Sequence, residues 1–192
     1  MFFQVAGYLS GLAMLLSFVP YIRDIFRGST KPERISWLIW AVLGSISFAS
    51  LSAKGASFSL FLPGAQALVD LMIFVLAIKY GMGGFTRRDV IALIAAAVGL
   101  ILWYIFNEAA VALFIAIFID ATGVVLTTIK AYEKPETETV STWVLTFLAG
   151  VFSVIAVGKL NWILLSFPIY IALAGLSIMI AIWLGKRRKV YV

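Results

Sequence analysis

The 192-residue chain contains no cysteine and no histidine. Disulfides, thiol chemistry, haem ligation and the usual zinc sites are therefore excluded. The side chain that most often serves as a general acid or base is missing as well. The sequence also shows no nucleotide-binding loop and no catalytic dyad. These absences predict a protein that is not an enzyme and that carries no cofactor and no metal.

Charged residues are scarce too. Asp, Glu, Lys and Arg make up 12% of the chain, whereas they are about a quarter of an ordinary soluble domain. Apolar residues make up 63%, and the mean hydropathy is +1.07. A 21.0 kDa globule cannot bury that much apolar surface. The composition therefore predicts an all-α membrane protein with the lipid bilayer as its surroundings.

Seven apolar runs have the length of about 20 residues that a spanning helix needs. The predicted spans are 4–22, 35–53, 58–79, 88–106, 109–130, 140–158 and 161–185. All but two of the 15 basic residues fall on one side of this arrangement; the exceptions are Lys54 and Lys159. Because basic loops stay in the cytoplasm, the N-terminus is predicted outside and the C-terminus inside, with a bacterial inner membrane or plasma membrane as the default location. The positive charge thus indicates topology and no nucleic-acid partner.

The first three and last three spans show an internal repeat. Trp37, Gly44 and Ser47 match Trp143, Gly150 and Ser153 at one constant spacing, and Lys54 and Pro63 match Lys159 and Pro168 at a spacing one residue shorter. An odd-numbered unit keeps its orientation only if one extra span intervenes. The predicted architecture is therefore two parallel three-helix bundles, 1–80 and 107–185, joined by 81–106 with the fourth span and followed by a basic cytoplasmic tail, 186–192.

The segment from Phe18 to Lys31, which contains Pro20-Tyr21 and a basic loop, resembles a PQ-loop motif, and Ser36-Trp37 fits its last element. Tyr21 stands at the position of the motif's glutamine. The seven-span plan resembles that of SWEET-like carriers, and Trp37 and Trp40 have the spacing of the Trp-x-x-Trp motif of bacterial nicotinamide riboside carriers. SWEET sugar carriers hold their sugar with Asn on spans 3 and 7, whereas the only Asn residues here, Asn107 and Asn161, lie at helix ends. The resemblance implies a carrier of the PQ-loop group, in which amino-acid exporters use a membrane-embedded Asp and proton coupling.

Two carboxylates lie near the middle of predicted spans, Asp70 in span 3 and Asp120 in span 5. A carboxylate at the bilayer centre costs at least about 2.5–3.5 kcal/mol, so each is expected to be protonated, paired or facing a wet cavity. We interpret the pair as a substrate or proton site, with Gln66 and Tyr170 supplying further polar groups. The alternative is that two protonated acids form hydrogen bonds that join neighbouring helices.

Three prolines and three tryptophans have two interpretations each. Pro20, Pro63 and Pro168 are either hinges for alternating access or static kinks. The tryptophans near the cytoplasmic ends of spans 2 and 6 are favoured as interfacial anchors, with stacking on a planar substrate as the alternative; they are Trp37, Trp40 and Trp143.

The sequence therefore predicts a transporter that moves a small polar or zwitterionic solute by alternating access, with proton coupling left open. The competing interpretation is a non-transporting receptor or assembly subunit on the same scaffold. Association into a homo-oligomer also remains open.

Overall fold

The computed structural model describes residues 1–81 and 108–190 and, between them, positions 87, 90, 94, 97, 98, 101 and 105. The described helices are α1 (Phe2–Phe26), α2 (Arg34–Ala53), α3 (Phe61–Tyr80), α4 (Ala109–Glu133), α5 (Val140–Val157) and α6 (Trp162–Val190). Short 3₁₀ turns lie before α3 and between α4 and α5. No strand occurs in the part of the chain that the structure describes.

All six helices are long enough and apolar enough to cross a membrane. They occupy six of the seven predicted spans, so α4, α5 and α6 correspond to predicted spans 5, 6 and 7. The predicted fourth span, 88–106, lies outside the described residues except for the scattered positions given above. The chain is thus a helical membrane protein, and its orientation in the membrane stays a prediction.

Polar residues at the helix ends set the lengths of several helices. The Glu33 carboxylate accepts a hydrogen bond from Ser36 N at 2.6 Å and so caps the start of α2. Glu108 caps α4 in the same way, accepting from Ala110 N and Val111 N. These carboxylates satisfy backbone donors that have no partner inside the helix. Gly158 ends α5 with a left-handed φ of 67°, which glycine adopts without a steric penalty.

The six helices form a closed ring. In order around the ring, α1 packs on α3, α3 on α2, α2 on α4, α4 on α6, α6 on α5, and α5 again on α1. Each three-helix half, α1–α3 and α4–α6, has its last helix between its first two. The halves meet along two antiparallel contacts, α1 with α5 and α2 with α4, and the buried interior lies between them.

The two ends of the ring differ in charge. At the basic end, the Lys130 ammonium lies 2.6 Å from Lys31 O. At the opposite end, Lys54 and Glu108 form an ion pair between the halves. The hydrogen bond from Lys54 lowers the pKa of Glu108 below its usual value, with help from the backbone N–H groups that Glu108 caps. The Glu108 carboxylate therefore remains ionised, and paired with Lys54, to a lower pH than a free glutamate.

The structure places the basic tail and the three prolines on the described helices. The residues assigned to a basic tail, 186–192, continue helix α6 as far as Val190. Pro63 lies in the first turn of α3, where its missing N–H breaks no helical hydrogen bond. Pro20 and Pro168 lie inside α1 and α6, and both helices continue through them. Their role as hinges stays a prediction.

Candidate functional site

A small cavity of about 40 Å³ lies inside the helix ring and is lined from all six helices. Its volume is large enough to hold ordered water. Apolar and aromatic side chains form most of its wall, and polar groups come from α2 to α5. The lining residues are Met14, Phe18, Trp37, Trp40, Gln66, Asp70, Asp120, Val124, Thr142, Trp143, Thr146, Ile171 and Ala174.

The structure brings the four predicted site residues together. Asp70 and Asp120 are 3% and 2% exposed and face the same cavity from α3 and α4. Gln66 lies one turn before Asp70 on the same face of α3 and is also buried. Tyr170 of α6 donates its hydroxyl hydrogen to Asp120 Oδ2 at 2.5 Å. The carboxylates of opposite halves therefore converge on one space.

The favoured interpretation of the tryptophans as interfacial anchors is wrong. Trp37, Trp40 and Trp143 are 3%, 4% and 5% exposed, and all three line the cavity. Trp37 and Trp40 meet edge to face with ring centroids 4.9 Å apart, while Tyr21 packs on Trp37 at 5.1 Å. Burial inside the helix ring removes these side chains from contact with lipid headgroups, so the alternative interpretation, stacking on a bound molecule, stays open.

Polar atoms around the cavity fall into two groups. Three hydrogen-bond donors of the wall are already used: Trp40 Nε1 donates to Asp120 O, Thr142 Oγ1 to Ser17 O, and Thr146 Oγ1 to Thr142 O. Three acceptors have no partner among the described residues, namely Gln66 Oε1, Asp70 Oδ2 and Asp120 Oδ1. A buried acceptor without a donor is unfavourable by about 1–3 kcal/mol. This arrangement favours a bound species that donates hydrogen bonds or carries positive charge.

A second polar cluster, which sequence reasoning missed, closes the basic end. Lys130 Nζ lies 2.6 Å from Glu138 Oε1, and both side chains are nearly inaccessible, at 7% and 1% exposed. Trp143 Nε1 donates to the other oxygen of Glu138 at 3.0 Å. The α4–α5 loop thus joins the cavity wall to the loop after α1. Glu138 lies in a polar loop sequence, so nothing in its sequence neighbours indicated burial.

Replacing Tyr170 with Phe is expected to destabilise the protein by about 1–3 kcal/mol. The change removes the donor to Asp120 Oδ2 and leaves both oxygens of that carboxylate without a described partner. Thermal unfolding of purified protein in nanodiscs measures the loss. Tyr8→Phe is the matched control, because Tyr8 is half exposed and its hydroxyl accepts only from the Gln4 side chain among the described contacts. Equal melting temperatures for the two variants would contradict the prediction.

Comparison with models of known protein families, with curated proteins and with solved structures yields no match to this chain. Function is therefore argued from the cavity and from the helices around it.

Proposed function

We propose that the protein is a membrane carrier that passes a small polar or zwitterionic solute by alternating access between its two three-helix halves. Asp70 and Asp120 bind a cationic group or a coupling proton, and Gln66 and Tyr170 orient the solute. The observation that carries the proposal is the convergence of three buried polar side chains from α3 and α4 on one cavity between the halves. Carrier sites lie at such interfaces near the membrane midplane.

Matching contacts in the two halves support a pair of parallel repeats. Thr142 Oγ1 donates to Ser17 O, and Ser36 Oγ donates to Gly123 O. Along the sequence, Ser36 and Thr142 are separated by as many residues as Trp37 and Trp143, and so are Ser17 and Gly123. Donor and acceptor in one bond are therefore the repeat equivalents of donor and acceptor in the other. A half-turn about an axis through the ring therefore relates the two bonds. This symmetry favours rocking of one half against the other, as in SWEET-like carriers of the PQ-loop group.

The ends of the described segments support a seventh crossing. Helix α3 ends at Tyr80, and a Cβ added to the next residue, Gly81, would lie 2.7 Å from Pro32 O at the basic end. Helix α4 starts after Glu108, which pairs with Lys54 at the opposite end. The intervening residues therefore join opposite ends of the ring, as a linker with one membrane span would do.

Counterflow into liposomes that contain the purified protein tests the proposal. The panel consists of labelled amines, amino acids, sugars and nucleosides. We expect at least one solute to accumulate, and Asp70→Asn to lower its rate by about 10- to 100-fold, because the lost charge-assisted contact is worth roughly 1.5–3 kcal/mol. Glu108→Gln is the control, since it neutralises an exposed carboxylate far from the cavity and should leave the rate unchanged.

Absence of flux for every solute on the panel would overturn the carrier proposal, and an unchanged rate for Asp70→Asn would remove the assigned role of Asp70. The second candidate is a non-transporting receptor or assembly subunit. The small cavity volume and the buried ion pair at the basic end favour it, because both close the site. Ligand binding by a protein that shows no counterflow would establish that candidate.

A further inference from the structure

Building on the proposed carrier function, we propose that the cavity selects solutes with a primary ammonium group and disfavours neutral alcohols, anions and quaternary cations. The N–H donors of the ammonium group would satisfy acceptors of Gln66, Asp70 and Asp120 that have no described partner. Binding of such solutes to the cavity can be measured whether or not the protein transports them.

Charge gives the first reason. Among the described residues that line the cavity, two are acidic and none is basic. An anion would enter a buried space next to two acidic side chains and would find no positive charge in the described wall. A monovalent cation instead offsets negative charge that the apolar surroundings stabilise poorly. The site therefore favours positive solutes over negative ones.

The number of hydrogen-bond donors distinguishes a primary ammonium group from an alcohol and from a quaternary ammonium group. The wall offers three unpartnered acceptor atoms, each on a side chain that is at least nine-tenths buried. A primary ammonium group has three N–H donors and no acceptor. Its three donors equal the three acceptor atoms of the wall in number, and its positive charge complements the acidic side chains. An alcohol brings one donor, and a quaternary ammonium brings none. Both leave acceptors of the wall without hydrogen bonds.

The aromatic wall accounts for the rest of the solute. Trp40 and Trp143 direct their indole N–H groups to Asp120 O and to Glu138. Their donors are therefore unavailable to a solute, and the rings contribute carbon surface to the cavity. The rings of Trp37 and Trp40 pack edge to face. We call this pair, which lines the same cavity as the carboxylates, the aromatic corner. Such a corner packs on alkyl carbons and attracts the adjoining cationic group by cation–π interaction.

The cavity volume limits the size of the solute that the cavity can hold. About 40 Å³ suits a small cation, so the probe should be a short primary amine. Ethylammonium is therefore the probe, at constant ionic strength in sodium chloride. Ethanol, acetate and tetramethylammonium are its neutral, anionic and quaternary counterparts.

The experiment is thermal unfolding of the purified protein in nanodiscs with each probe. We expect ethylammonium to raise the melting temperature saturably, by about 5 °C at 100 times its Kd, and the other three probes to raise it by less than a fifth as much. Asp70→Asn should abolish the shift. Glu108→Gln, with its exposed carboxylate at the opposite end, should keep it.

Equal shifts from ethylammonium and ethanol, a shift from tetramethylammonium as large as that from ethylammonium, or no shift at all would overturn the ammonium selectivity. Stabilisation by sodium ions that ethylammonium does not increase would also overturn it, in favour of an inorganic cation site. Failure of the carrier function gives a different result: ethylammonium binds and depends on Asp70, but counterflow shows no flux.

Discussion

Lys130→Met is expected to destabilise the protein by about 3–5 kcal/mol, which lowers the melting temperature by about 10 °C in a chain of this size. Lys130 Nζ bonds to Glu138 Oε1 and to Lys31 O, both at 2.6 Å. Its removal leaves the buried carboxylate of Glu138, 1% exposed, without a counter-charge. Thermal unfolding in nanodiscs measures the effect.

Two controls separate the buried charge from the loss of a side chain. Lys54→Met breaks the Lys54–Glu108 pair, whose side chains are 34% and 45% exposed, and should lower the melting temperature far less, because exposed ion pairs contribute little to stability. The double variant Lys130→Met, Glu138→Gln removes both charges and should regain much of the stability. If Lys130→Met is no more harmful than Lys54→Met, the buried pair does not hold the basic end together.

Gly150→Ala is expected to destabilise the protein by about 1–3 kcal/mol even though alanine favours helices. A Cβ at Gly150 would lie 2.5 Å from Ala172 N and 2.8 Å from its Cα. Both atoms belong to the backbone of α6, so only a shift of a whole helix relieves the clash. Because the α5–α6 contact adjoins the cavity wall, we expect reduced ethylammonium binding in the same variant.

Gly44→Ala provides the matched control, since Gly44 stands at the equivalent position of the first half. A Cβ there would lie 3.3 Å from Ala67 Cα and 3.4 Å from its Cβ, which a small adjustment accommodates. The gain in helix propensity should offset the tighter contact and leave the melting temperature nearly unchanged. Comparable losses for the two variants would contradict the packing difference between the halves.

Much of the fold followed from local sequence patterns. Apolar run length located α1 to α6 to within a few residues, because a membrane helix needs about 20 apolar residues regardless of its neighbours. Pairing of Asp70 with Asp120 as a candidate site followed from the high cost of an intramembrane carboxylate. Neither inference required knowledge of which helices touch.

The wrong interpretation of the tryptophans and the failure to identify the Glu138 cluster have the same cause, because both depend on contacts between residues far apart in the sequence. Tryptophans near helix ends anchor at headgroups in many membrane proteins, and the sequence did not reveal that Trp40 and Trp143 contact each other across the two halves. Glu138 lies in a polar loop, and only the approach of Lys130 and of the loop after α1 buries it.

The sequence by itself determined an apolar helical chain, an uneven distribution of basic residues among its loops and the position of each carboxylate within its apolar run, because composition and run length fix these properties. Tertiary structure decided which side chains share a space. The ring order of the helices places Gln66, Asp70 and Asp120 around one cavity and leaves three of their acceptors without a described partner. It also directs the indole donors of Trp40 and Trp143 to other partners. Those features arise where the two halves meet, since each depends on residues far apart in the chain.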